Sequence, residues 1–144
     1  MAIPATITLP ANLDSLYKSM DFVSSCAREQ GFSSKRVSEI ELALEEILVN
    51  IFNYAYKESG CDGTVEITCK LADTQNFVIE IADSGMPFNI LSVREPDTTA
   101  EIDERPIGGL GVFFVKQLMN DIQYRREAEK NILTLVVLKA DNKS

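Results

Sequence analysis

The chain has 144 residues, 45% hydrophobic and 25% charged, with a formal net charge of −8. That is enough for one domain burying roughly two-thirds of the surface its unfolded chain exposes. The acidity disfavours nucleic acid as a direct partner, because phosphate backbones are bound by basic surfaces that release counterions. The chain contains no histidine, which excludes Ser-His-Asp and Cys-His catalysis and histidine-ligated zinc, and leaves carboxylates, lysines and tyrosines as general bases.

Residues 3–9 alternate Ile3, Ala5, Ile7 and Leu9 with small or polar neighbours, which predicts a strand. Leu13, Leu16, Tyr17, Met20, Val23 and Ala27 follow at helical spacing, with Asn12 as a cap and Gly31 as a stop. A second helix is expected from Ser33-Ser34 to about Tyr56, with Val37, Ile40, Leu44, Ile47, Leu48 and Ile51 on its core stripe. Residues 64–71 and 77–82 read as strands joined by the turn Asp73-Thr74-Gln75-Asn76. A long stretch from Met86 to Ile107 has little periodicity, and such a loop in a compact domain is usually functional or disordered. A helix from Gly109 to Met119 and a hairpin of 121–128 with 132–139 complete the chain.

The order β-α-α-β-β-loop-α-β-β predicts a single α+β domain over 1–144, a two-layer sandwich with helices covering one apolar face of the sheet. No apolar run approaches the ~20 residues that span a bilayer, and the start lacks a secretory pattern. Cys26, Cys61 and Cys69 are odd in number and lack C-x-x-C spacing. Reduced thiols in a cytoplasm are the simpler expectation.

Three short blocks carry the chemistry. Glu46 and Asn50 share a helix face, joined by Asn53, nearly opposite the core stripe. The plain alternative is a solvent-facing strip. Against it, Leu42, Ala43, Val49 and Phe52 border the strip, so the helix is apolar almost all round and should run along a cleft. Asparagine is a hard oxygen ligand suited to Mg²⁺, and a glutamate one turn away in partly apolar surroundings suits a proton acceptor. Asp83-Ser84-Gly85 ends a strand; alone it is a common turn, or else a buried aspartate accepting a hydrogen bond from an adenine amino group. Gly108-Gly109-Leu110-Gly111 opens a helix; it is either a flexible entry to a core helix or a turn whose exposed N–H groups, with the helix dipole, favour phosphate. The spacing matches neither the dinucleotide fingerprint nor the P-loop. The preceding segment then reads as a lid hinged at Gly85 and at Gly108 and Gly109, with Arg105 in reach of a terminal phosphate or simply on the surface.

Taken together, these blocks resemble those of the GHKL ATPases. Glu46 to Tyr56 resembles their N box, Asp83-Ser-Gly85-Met-Pro-Phe88 the first glycine box, and Gly108 to Phe114 the second. The chain's size, the Asp-x-Gly-x-Pro-Phe form and Asn131-Ile-Leu-Thr-Leu are similar to the bacterial anti-sigma-factor serine kinases, over about Ser34 to Lys139. The resemblance implies a Bergerat-type fold, a mixed, mostly antiparallel sheet of about five strands under three helices, with a lid over about 86–108.

It also implies an ATP site in which Asn50 binds Mg²⁺, Glu46 is the general base and Asp83 reads adenine. Asn53, Gly85, Arg105, Gly108, Gly109, Leu110 and Gly111 would complete the nucleotide pocket. Members of the family phosphorylate a serine of an anti-anti-sigma (STAS-domain) protein, and many hold a sigma factor inactive. A homodimer is a further expectation, with the first strand and helix as candidates for its surface. The alternative is a module that binds ATP and sequesters a partner without phosphorylating it. Asn53 and Tyr54 stand where relatives often carry Lys or His. Pro87 replaces a glycine of the first box, and the final hairpin lacks the Gly-Thr of many relatives.

Overall fold

The computed structural model of the chain describes residues 3–55, 63–92 and 115–139. Five strands form one sheet: β1 (Ala5–Pro10), β2 (Thr64–Leu71), β3 (Asn76–Asp83), β4 (Asp121–Glu127) and β5 (Lys130–Leu138). Their order is β1-β2-β3-β5-β4, and every described pairing is antiparallel, where a mixed sheet was expected. The β2–β3 turn closes as its residues dictate, since Asp73 Oδ1 accepts the N–H groups of Gln75 and Asn76 at 2.7 and 3.0 Å.

Alternation sorts the two faces. Val65, Ile67 and Cys69 of β2, Phe77, Ile79 and Ile81 of β3, and Leu133, Leu135 and Val137 of β5 are all buried on one face. The other face carries Thr68, Lys70, Glu80 and Arg125, with Lys70 and Arg125 reaching Glu80 at 3.6 and 3.9 Å. Helices α1 (Leu16–Glu29) and α2 (Ser34–Asn50) contribute the rest of the core. Among the described residues, no helix is long and apolar enough to cross a membrane.

Asn12 caps the turn before α1 by accepting the Asp14 N–H at 3.0 Å, and Gly31 ends the helix region with φ +88°. The buried stripe of α1 is displaced from the expected one. Leu13 and Tyr17 are 57% and 70% exposed, while Ser15, Ser19 and Ser24 are buried. Small hydroxyls take these inner positions because their hydrogen bonds are made there: Ser19 Oγ donates to the Ser15 carbonyl at 2.8 Å and Ser24 Oγ to Glu41 of α2 at 2.7 Å.

Ser33 caps α2, accepting the Arg36 N–H at 3.2 Å, and the stripe Val37, Ile40, Leu44, Ile47 and Leu48 is buried as expected. The helix does not run on to Tyr56 in α form. It ends at Asn50 and widens into a π-helical turn over Ile51–Ala55. The wider turn keeps both Ile51 and Phe52 in the core and turns Asn53 out to solvent.

Arg36 is buried but fully engaged at its guanidinium tips. Its Nη1 donates to the Leu118 carbonyl at 2.6 Å and to Glu39 at 3.0 Å, and its Nη2 donates to Asn120 Oδ1 at 3.0 Å. Residues 115–118 are helical, so the cation sits at a helix C-terminus, where the dipole favours it. Asn120 in turn accepts the Leu138 N–H at 2.9 Å, so one side chain fastens the start of α2 to a helix end and to β5.

The final hairpin turns earlier than its sequence suggests. Ala128 and Glu129, with φ of 52° and 64°, make the turn, and β5 begins at Lys130. Neither residue is a glycine or asparagine, so each carries the steric cost of left-handed backbone. Asn131, expected in the connection, is thereby placed inside the strand opposite Asp83.

Replacing Arg36 by Met is expected to lower unfolding free energy by about 2–4 kcal/mol, because the Leu118 carbonyl and Asn120 lose a charged donor. The double change Ala128→Asn and Glu129→Gly is expected to raise it by about 1–2 kcal/mol. Urea titration checks both; unmoved midpoints would refute them.

Candidate functional site

Asp83 closes β3 with its side chain on the helix-covered face. Its register partner on β5 is Asn131, whose own partner on β4 is Arg126. Three adjacent strands therefore set a carboxylate, a carboxamide and a guanidinium in one row. Facing residues of neighbouring strands are about 5 Å apart at Cβ. Asp83 and Asn131 are 2% and 4% exposed.

Both oxygens of Asp83 can be accounted for. Oδ1 accepts the Gly85 N–H and the Asn131 Nδ2 amide, each at 2.9 Å. The Asp-Ser-Gly block is thus a side-chain-closed turn, as its residue types suggest. No donor among the described residues reaches Oδ2. Burial pushes the Asp83 carboxyl above the ordinary range, opposed by the Asn131 and Gly85 hydrogen bonds and by the charge of Arg126.

Asn131 does more than touch Asp83. Its Nδ2 also donates to the Met86 carbonyl at 2.9 Å, while its Oδ1 accepts the Phe88 N–H at 3.0 Å, the Tyr124 hydroxyl at 2.6 Å and Arg126 Nη1 at 3.2 Å. Arg126 Nη1 donates in addition to the Gly85 carbonyl at 2.9 Å. Residues 85–88 are thereby tied to the sheet.

Ile51, Ile81, Phe88, Ile90, Tyr124 and Leu133 enclose Asp83 and Asn131 in a narrow, mostly apolar cleft with little more room than a water molecule needs. A planar base is larger than this space, so the side chains of Phe88 and Ile90 would have to shift to admit one.

Next to Ile51, Asn50 is 1% exposed. Its Nδ2 donates to the Glu46 carbonyl at 2.7 Å, which orients the carboxamide, and its buried Oδ1 has no hydrogen-bond partner among the described residues. A buried carbonyl oxygen without a donor costs about 1–3 kcal/mol. It is also the hard oxygen that a magnesium ion takes. Among the described residues no cluster of three or more His, Cys, Asp or Glu could hold a metal. A single buried carboxamide oxygen fits a cation that keeps several waters and binds phosphate oxygens, as Mg²⁺ does.

Glu46 lies one turn earlier and is partly buried. Burial raises its pKa above the ordinary value, the Asn50 side chain lowers it, and the neighbouring charge of Glu45 raises it again.

Asp83 and Ile51 thus share the cleft, Gly85 is bonded to Asp83 at its edge, and Asn50 and Glu46 lie on α2, which runs directly into Ile51. Asn53 does not join them. It is exposed and lines a separate groove with Ala11, Asn12, Leu13, Asp14 and Phe52. Arg105, Gly108, Gly109, Leu110 and Gly111 lie outside the described residues, as does most of the lid expected over 86–108. Asn131, Tyr124 and Arg126 were not anticipated. The alternation of Ile122, Tyr124 and Arg126 along β4 was the available signal for the last two.

The raised Asp83 pKa has a defined sign for stability. A carboxyl whose folded pKa lies above its unfolded value favours the fold only while protonated; that benefit is lost as pH rises through the folded pKa. Asp83→Asn is therefore expected to melt higher than the parent at neutral pH, with the difference closing as pH falls below the ordinary carboxylate range. Thermal unfolding at several pH values checks this, and a lower melting temperature at neutral pH would refute it.

Comparison with known proteins bears on the family and the fold. The profile of the histidine kinase-like ATPase domain matches residues 9–137. The serine-protein kinase RsbW of Bacillus cereus is 27% identical over 115 residues, covering 77% of this chain and 70% of that protein, and that of Bacillus mycoides matches to the same extent. Among solved structures, the RsbU and RsbW domains of a Mycobacterium tuberculosis protein align with a TM-score of 0.66 at 16% identity, over 95% of this chain and 33% of the other. The chain therefore spans about a third of that larger protein. A mycobacterial sensor histidine kinase aligns with a TM-score of 0.51 at 16% identity, over 93% and 97% of the two chains. Those structures establish a shared α+β fold, and the matched profile covers most of the sequence. The chain belongs to the histidine kinase-like ATPase domain family.

Proposed function

We propose that the chain is an ATP-dependent serine protein kinase acting on a serine of an anti-anti-sigma (STAS-domain) protein in the cytoplasm, with a sigma factor as a second partner. The observation that carries this reading is the buried, apolar-walled Asp83 carboxylate with one oxygen that meets no donor among the described residues, a site suited to a base that offers an amino group. Family membership and similarity to RsbW serine-protein kinases support it.

In this reading the adenine amino group donates to Asp83, and Gly85 lets the base approach the backbone. Gly108, Gly109, Leu110 and Gly111 supply N–H groups to the phosphates, Arg105 faces the terminal phosphate, and the segment over about 86–108 closes as a lid. Asn50 would hold magnesium through its partnerless Oδ1; when bound, the ion offsets phosphate charge. Glu46 takes the proton from the substrate serine hydroxyl as that oxygen bonds to the γ-phosphorus and the bond to the β-phosphate oxygen breaks, releasing ADP. A raised carboxyl pKa makes Glu46 a stronger base once ionised, and its ionised fraction falls as pH drops through that pKa.

One observation favours the alternative, a module that binds ATP and sequesters its partner. Asn53 stands where relatives often carry Lys or His near the phosphates, and here it faces solvent away from the cleft.

Incubation with Mg-ATP and STAS-domain proteins, read by mass spectrometry for serine phosphorylation, separates the two. The kinase reading expects transfer, and Glu46→Gln should slow it by about a hundredfold or more with ATP affinity near that of the parent. Measurable ATP binding without transfer to any candidate supports the sequestering module. Asn50→Ala is expected to weaken ATP binding in magnesium and leave binding in a chelator unchanged; calorimetry in both buffers checks this, and equal losses would remove Asn50 as a magnesium ligand.

A further inference from the structure

We propose that Asn131 is the positioning residue for purine selection: it fixes which carboxylate oxygen of Asp83 faces the cleft, and so sets the preference for a 6-amino over a 6-oxo purine. This rests on the reading of the cleft as an adenine nucleotide site.

The geometry leaves Asn131 one orientation. Its Nδ2 protons go to Asp83 Oδ1 and the Met86 carbonyl, both at 2.9 Å, and its Oδ1 receives donors from Phe88, Tyr124 and Arg126. Flipping the amide would set an oxygen against two acceptors and an NH₂ against the Phe88 and Arg126 donors. With Asn131 locked, Asp83 is locked too. Oδ1 is held by two N–H groups, from Asn131 and Gly85, and Oδ2 has none among the described residues.

A residue that is 2% exposed thus presents one bare acceptor to an apolar cleft. Such an acceptor rewards an amino group and penalises a carbonyl, since two facing acceptors are left desolvated and unpaired. Asp83 has Arg126 of β4 as its only charged neighbour in this network. Val65 of β2 is its register partner on the other side, and Tyr124, Ile51, Phe88 and Ile90 line the cleft with it.

Asn131→Asp isolates the role. It keeps an acceptor for Phe88, Tyr124 and Arg126, and replaces only the donor aimed at Asp83 and Met86. If Asn131 merely ties residues 85–88 to the sheet, losing the Met86 contact should weaken both nucleotides alike and leave their affinity ratio as in the parent. If it positions Asp83, two carboxyls now share the space, Asp83 holds a proton more readily, and a protonated Asp83 donates to a 6-oxo group.

The expected results are an ATP affinity lowered about tenfold or more, an inosine triphosphate affinity changed much less, and an acid-side loss of ATP binding that moves to higher pH. Fluorescence competition with both nucleotides across pH reads all three. A folded variant with the parent's ATP-to-inosine-triphosphate ratio and pH midpoint overturns the inference. Should circular dichroism show that the variant does not fold, Asn131→Thr, a good strand former with a single shorter donor, is expected to lose part of the preference, and retention of the parent's ratio overturns the inference equally. Failure of the parent to bind ATP at all sinks the adenine reading itself, and with it this role.

Discussion

A carboxylate kept out of water needs donors, and the demand of Asp83 for them organises one end of this molecule. Two N–H groups meet its Oδ1, one from the turn that follows it and one from the next strand. The second exists only because β3 and β5 pair in a register that sets Asn131 opposite Asp83. The tight connection at Ala128 and Glu129, two residues poorly suited to their backbone angles, sets the register of β4 on β5 and so places Arg126 opposite Asn131. The cost of that turn is local, and the return is a polar row across three strands. Arg126 and Tyr124 complete the row from the sheet edge and fasten the chain segment that leaves β3.

The same trade recurs on α2. Most of the helix is core, and its buried stripe of Val37, Ile40, Leu44, Ile47 and Leu48 supplies stability. Asn50 interrupts that regime with a buried oxygen that no described group satisfies. In natural proteins such unsatisfied groups are few, and they concentrate where ligands bind. The site thus draws on the stability of a frame that was built elsewhere, and Arg36 shows how that frame is secured far from the cleft.

Much of this was legible in the sequence. The two hairpins, the two long helices and the one-sided core follow from alternation and from period 3.6, because burial on a single face leaves a strong pattern. Glu46, Asn50, Asp83 and Gly85 were legible because each combines an unusual residue type with an apolar setting. Tyr17 was misread because an aromatic at helical spacing looks like core, whereas Ser19 and Ser24 fill the inner face through hydrogen bonds that spacing does not reveal. Asn131 was missed for a different reason. Ala-Glu carries none of the turn chemistry of Asn-Gly, so the hairpin's reversal was placed too late and a strand residue was read as a connection. Asn53 was grouped with Asn50 on an ideal helix, and the π-helical turn changed its direction.

The contact between Lys116 Nζ and the Leu91 carbonyl, at 3.4 Å, brings the two ends of the intervening chain side by side. Both partners of that contact belong to the described frame, so the separation of the two ends is set by the sheet and helices on either side. A segment that closed over the cleft from those ends would start and finish at points the frame has already fixed, next to the polar row.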